Sequence, residues 1–277
     1  MWTCPSCGAA ASSSFCPSCG ERRVFDADFD GNRTQSRGPH VSWFGRLHAS
    51  LRALASPPGR LTADWAHGRR VPYLPPLTLF LWTNVVFFVV QWASGLGVLS
   101  WPLRVHLRQD LFGPLSAHLL AIYRPEMGSA ESASGQVFDA LESVHAKSLV
   151  ILMVPAFALA LRVVLADRKI RLSECMTFAL HLYTFALIWL CALFPAVAIG
   201  LRLFVWAGGH ITAEGFDEVV SLFEAGVIGW YVAVALATVW NLPPWRCLGS
   251  ALLLITVMLL LLRPYHFVVF AVTLLST

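Results

Sequence analysis

From Leu77 onward the chain alternates long apolar runs with short polar ones. Leu77 to Leu99 contain no charged residue, and at about 1.5 Å per residue such a helix crosses a hydrocarbon layer of about 30 Å. Trp65, Tyr73 and Trp101 bracket it as an aromatic belt would. Further spans are predicted at about 149–166, 176–201, 219–240 and 247–275. Arg162 lies a turn from the end of the second and can snorkel to the interface. The third is uncharged, and the fourth contains only Glu224. Arg263-Pro264 interrupts the last region, which could be a span plus a re-entrant half-helix but is taken as one kinked span. The predicted fold class is therefore all-α, a polytopic membrane protein of about five transmembrane helices occupying residues 74–277.

Ahead of the spans, Trp43, Phe44, Leu47, Leu51 and Leu54 recur at helical spacing, with Arg46, His48, Ser50 and Arg52 mostly elsewhere. This predicts an amphipathic helix, either at the membrane interface or packed on the protein's own body. Pro57-Pro58-Gly59 ends it, and residues 43–73 form the interfacial and juxtamembrane segment. Residues 23–42 read as a linker. The stretch from Trp101 to about Glu142 reads as the largest outer loop, with a mobile Ser/Ala-rich section at Gly128–Gly135. No internal repeat is visible.

Composition agrees with the pattern. Hydrophobic residues make up 57% and charged residues 13% of the 277, and mean hydropathy is +0.64. A soluble domain carries about 25% charged residues, so most of this chain requires lipid as its solvent. Nine arginines and five acids precede residue 74, whereas the remainder is balanced. Placing alternate loops inside puts most basic residues with the N-terminus, which the positive-inside rule assigns to the cytoplasm. A retained start is expected, because no apolar signal segment precedes residue 30. The basic head lacks the dense patch with interleaved aromatics of a nucleic-acid reader, so no specific nucleic acid is expected.

The strongest chemical signal is Cys4-Pro5-Ser6-Cys7-Gly8, repeated as Cys16-Pro17-Ser18-Cys19-Gly20. Each Cys-x-x-Cys-Gly knuckle aims two thiolates at one point, and two knuckles close a tetrahedral four-sulfur cage. Residues 1–22 are read as a zinc ribbon with Cys4, Cys7, Cys16 and Cys19 as ligands of a structural Zn2+. Iron in the same cage and a redox dithiol are the alternatives. Free thiolates also fit a reducing cytosol.

Polar residues inside spans form a second candidate set. Asn84 and Gln91 share a face of the first span. Thr177, His181 and Thr184 share a face of the third, which Cys191 extends, and Glu224 sits in the fourth. They could line a polar path or substrate cavity, or hydrogen-bond between helices. Ser221, Ala225, Gly229, Ala233 and Ala237 make a close-packing stripe on the fourth span. Asp139, Glu142 and His145 could form a carboxylate–imidazole site but read more readily as a solvated face. No phosphate-binding glycine loop, zinc-protease motif or nucleophile elbow occurs, so no catalytic residue is assigned.

The knuckles, together with Pro58-Gly59, Trp65, Gly68-Arg69-Arg70, Tyr73, Pro76 and Phe87-Phe88, resemble an uncharacterised bacterial family of zinc-ribbon-headed, multi-pass inner-membrane proteins, a domain of unknown function. His145, Lys147, Pro155, Ala158-Leu159, Phe178-Ala179-Leu180-His181 and Phe185 extend the likeness. The family's usual Gln after the fourth-cysteine glycine is Glu21 here. The resemblance implies the topology and the N-terminal metal site and supplies no reaction. The expected function is a non-enzymatic adaptor, sensor or assembly factor of the bacterial inner membrane whose ribbon docks a cytoplasmic protein. The alternative is a transporter or lipid-handling protein using the polar face around His181, Asn84, Gln91 and Glu224.

Overall fold

The computed structural model describes residues 1–23, 42–94, 100–108, 110–125, 133–208 and 213–276. Most of the 23–42 linker and part of the Gly128–Gly135 stretch fall outside these. The described chain is almost entirely helical beyond the first 23 residues. Its helices are α1 (Trp43–Ala55), α2 (Arg60–Ala66), α3 (Pro76–Ser94), α4 (Leu103–Arg108), α5 (Gly113–Tyr123), α6 (Ala133–Leu149), α7 (Met153–Val164), α8 (Leu172–Trp206), α9 (Ala213–Trp240) and α10 (Pro244–Ser276).

Five helical stretches are long and apolar enough to span a membrane: Pro76–Ser94, Ser134–Val164, Leu172–Val197, Val220–Trp240 and Pro244–Ser276. The second starts well before residue 149, because a 3-10 turn at Val150–Leu152 joins α6 to α7 without ending the helical path. The polar residues that obscured this in the sequence each find a partner inside the protein, as described below. The last region is one helix running through Pro264. Of the expected outer loop, the described residues form α4, α5 and the start of α6.

The main core is aromatic and aliphatic, with Phe80, Phe87, Phe157, Phe178 and Leu161 almost wholly enclosed. Helix α3 packs chiefly on α8, α7 on α8, α9 on α10, and α10 on α6 and α7. The outward side chains are apolar as well: Leu81, Trp82, Val85, Val86, Val89 and Trp92 of α3 are all exposed. Such a surface suits lipid contact, because a helix satisfies its own backbone groups and needs no water around it.

Helix α1 begins at Ser42, whose hydroxyl accepts the Gly45 amide at 3.1 Å. It buries Ser50, Ala53 and Leu54 against the bundle while Trp43, Phe44 and Leu51 stay exposed. Trp43 meets the outward Trp82 of α3 edge-on at 5.6 Å. The helix is thus packed on the body along one side and presents aromatics along the other.

The corner after α1 is pressed into the bundle. Gly59 has φ +85°, and a β-carbon there would lie 2.7 Å from Ala235 Cα of α9. Only glycine meets both conditions without strain. Tyr231 of α9 donates its hydroxyl to the Leu54 carbonyl at 3.2 Å. The short helix α2 is thereby inserted between α8 and α9, with Leu61, Thr62 and Trp65 buried.

Candidate functional site

The head is a two-knuckle fold with little core of its own. Trp2–Thr3 pairs antiparallel with Ala10–Ala11, and Phe15 bridges to Arg22. In each knuckle the glycine amide returns to the first cysteine's carbonyl: Gly8 to Cys4 at 2.8 Å and Gly20 to Cys16 at 2.9 Å. Both glycines have positive φ, 76° and 75°, which lets the turn close tightly. The four sulfurs lie within 4.8 Å of one another. Cys4 and Cys19 Sγ are 3.5 Å apart, as are Cys7 and Cys16 Sγ, and all four are free thiols. Tetrahedral thiolate bonds of about 2.3 Å place sulfurs about 3.8 Å apart. The donor set therefore suits a metal ion, and Cys4 and Cys16 are buried around it.

Without an ion the four thiols perturb one another. Burial pushes Cys4 and Cys19 up. At Cys16 burial also raises the thiol, but the amides of Cys19 and Ser18 and the neighbouring thiols outweigh it and bring it down to about 7. A cage that readily yields one thiolate is primed to take up a cation.

Glu21 ties the head to the body. The carboxylate is buried, and its Oε2 accepts three hydrogen bonds. Ser6 Oγ, from the first knuckle, donates at 2.5 Å. The amides of Arg70 and Val71, just ahead of α3, donate at 2.9 Å each. The receiving segment is itself braced. The Arg46 guanidinium donates to the Tyr73 carbonyl from Nε at 2.9 Å, and the Leu74 amide donates to Ser50 Oγ at 2.9 Å. The Tyr73 hydroxyl donates to Asp64 Oδ2 at 2.5 Å, with Arg60 and Arg69 at 3.9 and 3.7 Å from the same carboxylate. Burial, aided by Asp64, pushes the Tyr73 phenol up. Burial also pulls the Arg70 guanidinium down, which lies over the Trp65 ring at 5.5 Å. The Arg70 and Val71 amides thus form the receptor for the head, with Arg69 and Tyr73 bracing the segment from beside it.

The sequence-selected membrane residues do not all meet. His181 is buried, and its Nδ1 lies 2.8 Å from Thr62 Oγ1 of α2. Thr177 is buried one turn away and lines a small cleft with Thr62, Trp65, Glu174 and Trp240. The Thr184 hydroxyl donates to the Leu180 carbonyl of its own helix at 2.7 Å. Asn84 donates instead to the Lys147 carbonyl of α6 at 3.2 Å, and Gln91 is buried on the same side of α3. Glu224 is half-buried on α9. Thr62 could not have been picked from the sequence, since it lies on a helix too short to carry a periodic signal.

The face with Asp139, Glu142 and His145, expected to be solvated, is instead packed against the protein, with Asp139 and His145 half-buried. Glu142 is fully buried, and its Oε1 accepts the Trp101 amide at 3.1 Å and lies 3.5 Å from His106 Nε2. Asp139 Oδ1 accepts the Leu103 amide at 2.7 Å, and His145 Nδ1 contacts Thr273 Oγ1 at 2.9 Å. Lys147 is buried too and donates to Ser143 Oγ at 2.9 Å. The partners come from α4, the residues before it and α10, which nothing in the sequence links to α6.

Residues 45–88 match the model of one protein family, Protein of unknown function (DUF3667). The match covers most of α1, all of α2, the receptor for Glu21 and most of α3. No curated protein and no solved structure matches the chain.

Proposed function

We propose that the chain is an integral protein of the bacterial inner membrane, with its N-terminus in the cytoplasm. In this reading it works without catalysis, as an adaptor, sensor or assembly factor, and its ribbon holds a zinc ion and docks a cytoplasmic protein partner. One observation carries the reading: a four-thiol cage is pinned by Glu21 to the segment that leads directly into the first span. Four sulfur ligands leave a metal no open coordination position, so its role is structural. What such a module offers is a small rigid surface at a fixed height above the bilayer. The test is affinity capture from reduced detergent extracts with the full chain and with its Cys4→Ser variant. A polypeptide recovered with the first and lost with the second supports docking. Identical captured sets count against it.

A second reading, transport or lipid handling along the polar face around His181, Asn84, Gln91 and Glu224, draws support from His181. Its Nε2 is buried without a hydrogen-bond partner, near the cleft at Thr62 and Thr177. Cysteine substitution at 177, 181 and 184 with water-soluble thiol reagents separates the readings: a reactive stripe favours a pathway, inert positions favour packing.

A further inference from the structure

Helix α1 contains no acid, and Phe44 and Leu51 stand exposed on the side it turns away from the bundle. Its position between the spans shows what covers that side. At one end Trp43 meets Trp82 of α3 edge-on. At the other, the Leu54 carbonyl accepts the Tyr231 hydroxyl of α9, and the corner that follows presses Gly59 on Ala235. At about 1.5 Å per residue, Trp82 lies about 9 Å along α3 from Pro76, and Tyr231 about 13 Å along α9 from Trp240. Both of those helix ends are on the ribbon's side, because Pro76 follows the ribbon's seat and consecutive spans alternate in direction. With 19 and 21 residues, the two spans are only just long enough for about 30 Å of hydrocarbon. Their contacts with α1 therefore sit inside the bilayer. The helix runs crosswise from one span to the other, near the depth of about 5–10 Å at which in-plane amphipathic helices rest.

The roll of α1 about its axis fits the same placement. Arg46 and Ser50 turn to Tyr73 and Leu74, which precede α3 and lie toward the ribbon. At about 100° per residue, Phe44 and Leu51 are about 100–160° around the helix from that pair, so they face away from the ribbon, toward the acyl chains. Trp43 joins this side to the exposed apolar row of α3 through Trp82. His48 and Arg52, one turn apart and exposed, occupy the flank between the two sides, and the long arginine stem reaches up to headgroup level.

We propose that α1 is a lipid-binding helix sunk in the ribbon-side leaflet, with Phe44 and Leu51 among acyl chains and an anionic phospholipid headgroup held at Arg52 and His48. The phosphate supplies the negative charge that this acid-free helix lacks. The same helix braces the ribbon's seat, through the Arg46 bonds to the Tyr73 carbonyl and the Leu74 amide bond to Ser50 Oγ. Lipid that holds α1 in place therefore steadies the seat as well. The inference depends neither on the metal in the ribbon, nor on a protein partner, nor on which face of the membrane the ribbon occupies.

The test uses the full chain reconstituted in lipid vesicles. In the first arm, phosphatidylcholine carrying a diazirine in the upper acyl chain is photolysed, and the labelled residues are mapped by mass spectrometry. Phe44 and Leu51 should be labelled as heavily as Trp82, whereas Phe15 of the ribbon, which is also exposed, should stay unlabelled. In the second arm, hydrogen exchange is followed at the Leu74 amide, which α1 must leave before it can exchange. Exchange should be about fivefold slower in a roughly 3:1 mixture of phosphatidylcholine and phosphatidylglycerol than in phosphatidylcholine alone, the effect of one arginine near an anionic surface. Arg52→Gln should remove that difference. The proposal is overturned if Phe44 and Leu51 are labelled no more than Phe15, if exchange at Leu74 is the same in both lipids, or if the difference survives Arg52→Gln.

Discussion

Replacing Glu21 with alanine removes the link between head and bundle while leaving every cysteine in place. Two of the three hydrogen bonds on Glu21 Oε2, from the Arg70 and Val71 amides, cross from body to head, and the third, from Ser6, stays within the ribbon. A hydrogen bond to a charged group contributes about 1.5–3 kcal/mol net. At the lower figure, fitting for amides that regain water on release, the two crossing bonds are worth about 3 kcal/mol of docking. At about 1.4 kcal/mol per decade, exchange at the amides of residues 70 and 71 should accelerate roughly a hundredfold in Glu21→Ala. Glu21→Gln retains a neutral acceptor worth about half as much and should accelerate it roughly tenfold. Hydrogen exchange on the detergent-solubilised, metal-loaded chain measures both. Unchanged protection at both amides in Glu21→Ala would refute the reasoning.

Gly59→Ala forces a β-carbon to 2.7 Å from Ala235 Cα at a φ of +85° and should cost about 3 kcal/mol or more, read as a lowered melting temperature in detergent; an unchanged melt would disprove the close approach. Elemental analysis of the reduced chain should find one metal ion per molecule, lost in Cys4→Ser. Chelation should melt the ribbon but leave the helical circular-dichroism signal in place, since the bundle has its own core. The Tyr73 phenol is raised in the folded state, so its contribution is complete below the unfolded value near 10 and is lost as pH climbs through the folded value. Tyr73→Phe should flatten that alkaline loss of stability, and an equally steep loss would show that the Asp64 contact is not its source.

How much of this was legible depends on the distance over which each signal acts. The knuckles are legible because Cys4–Cys7 and Cys16–Cys19 repeat a local spacing, and the folded head brings the four sulfurs together. The five apolar stretches are legible because each is a local run, although the helices carrying α6, α8 and α9 extend beyond the apolar cores that marked them. Glu21 was not legible as a clamp, since its donors lie 49 and 50 residues away and are backbone amides, which every residue possesses. The stripe of Thr177, His181 and Thr184 could be drawn on a helix, yet His181's partner is Thr62, supplied by a seven-residue helix. The misjudged face of Asp139 and Glu142 has the same origin: a carboxylate seems solvated until the amides of Trp101 and Leu103 are brought to it.

The corner at Leu54–Thr62 also carries an order of events. Its fixed neighbours are His181, Tyr231 and Ala235, at sequence separations of 119 and 177 for the two hydrogen bonds. A ribosome that has just finished the first span has made none of them. The early segment must therefore wait beside the growing chain until α9 has been threaded into the bilayer, and only then can it drop into its slot. Assembly of this molecule ends with a segment made before most of the bundle, and truncation before residue 231 should leave that segment unseated.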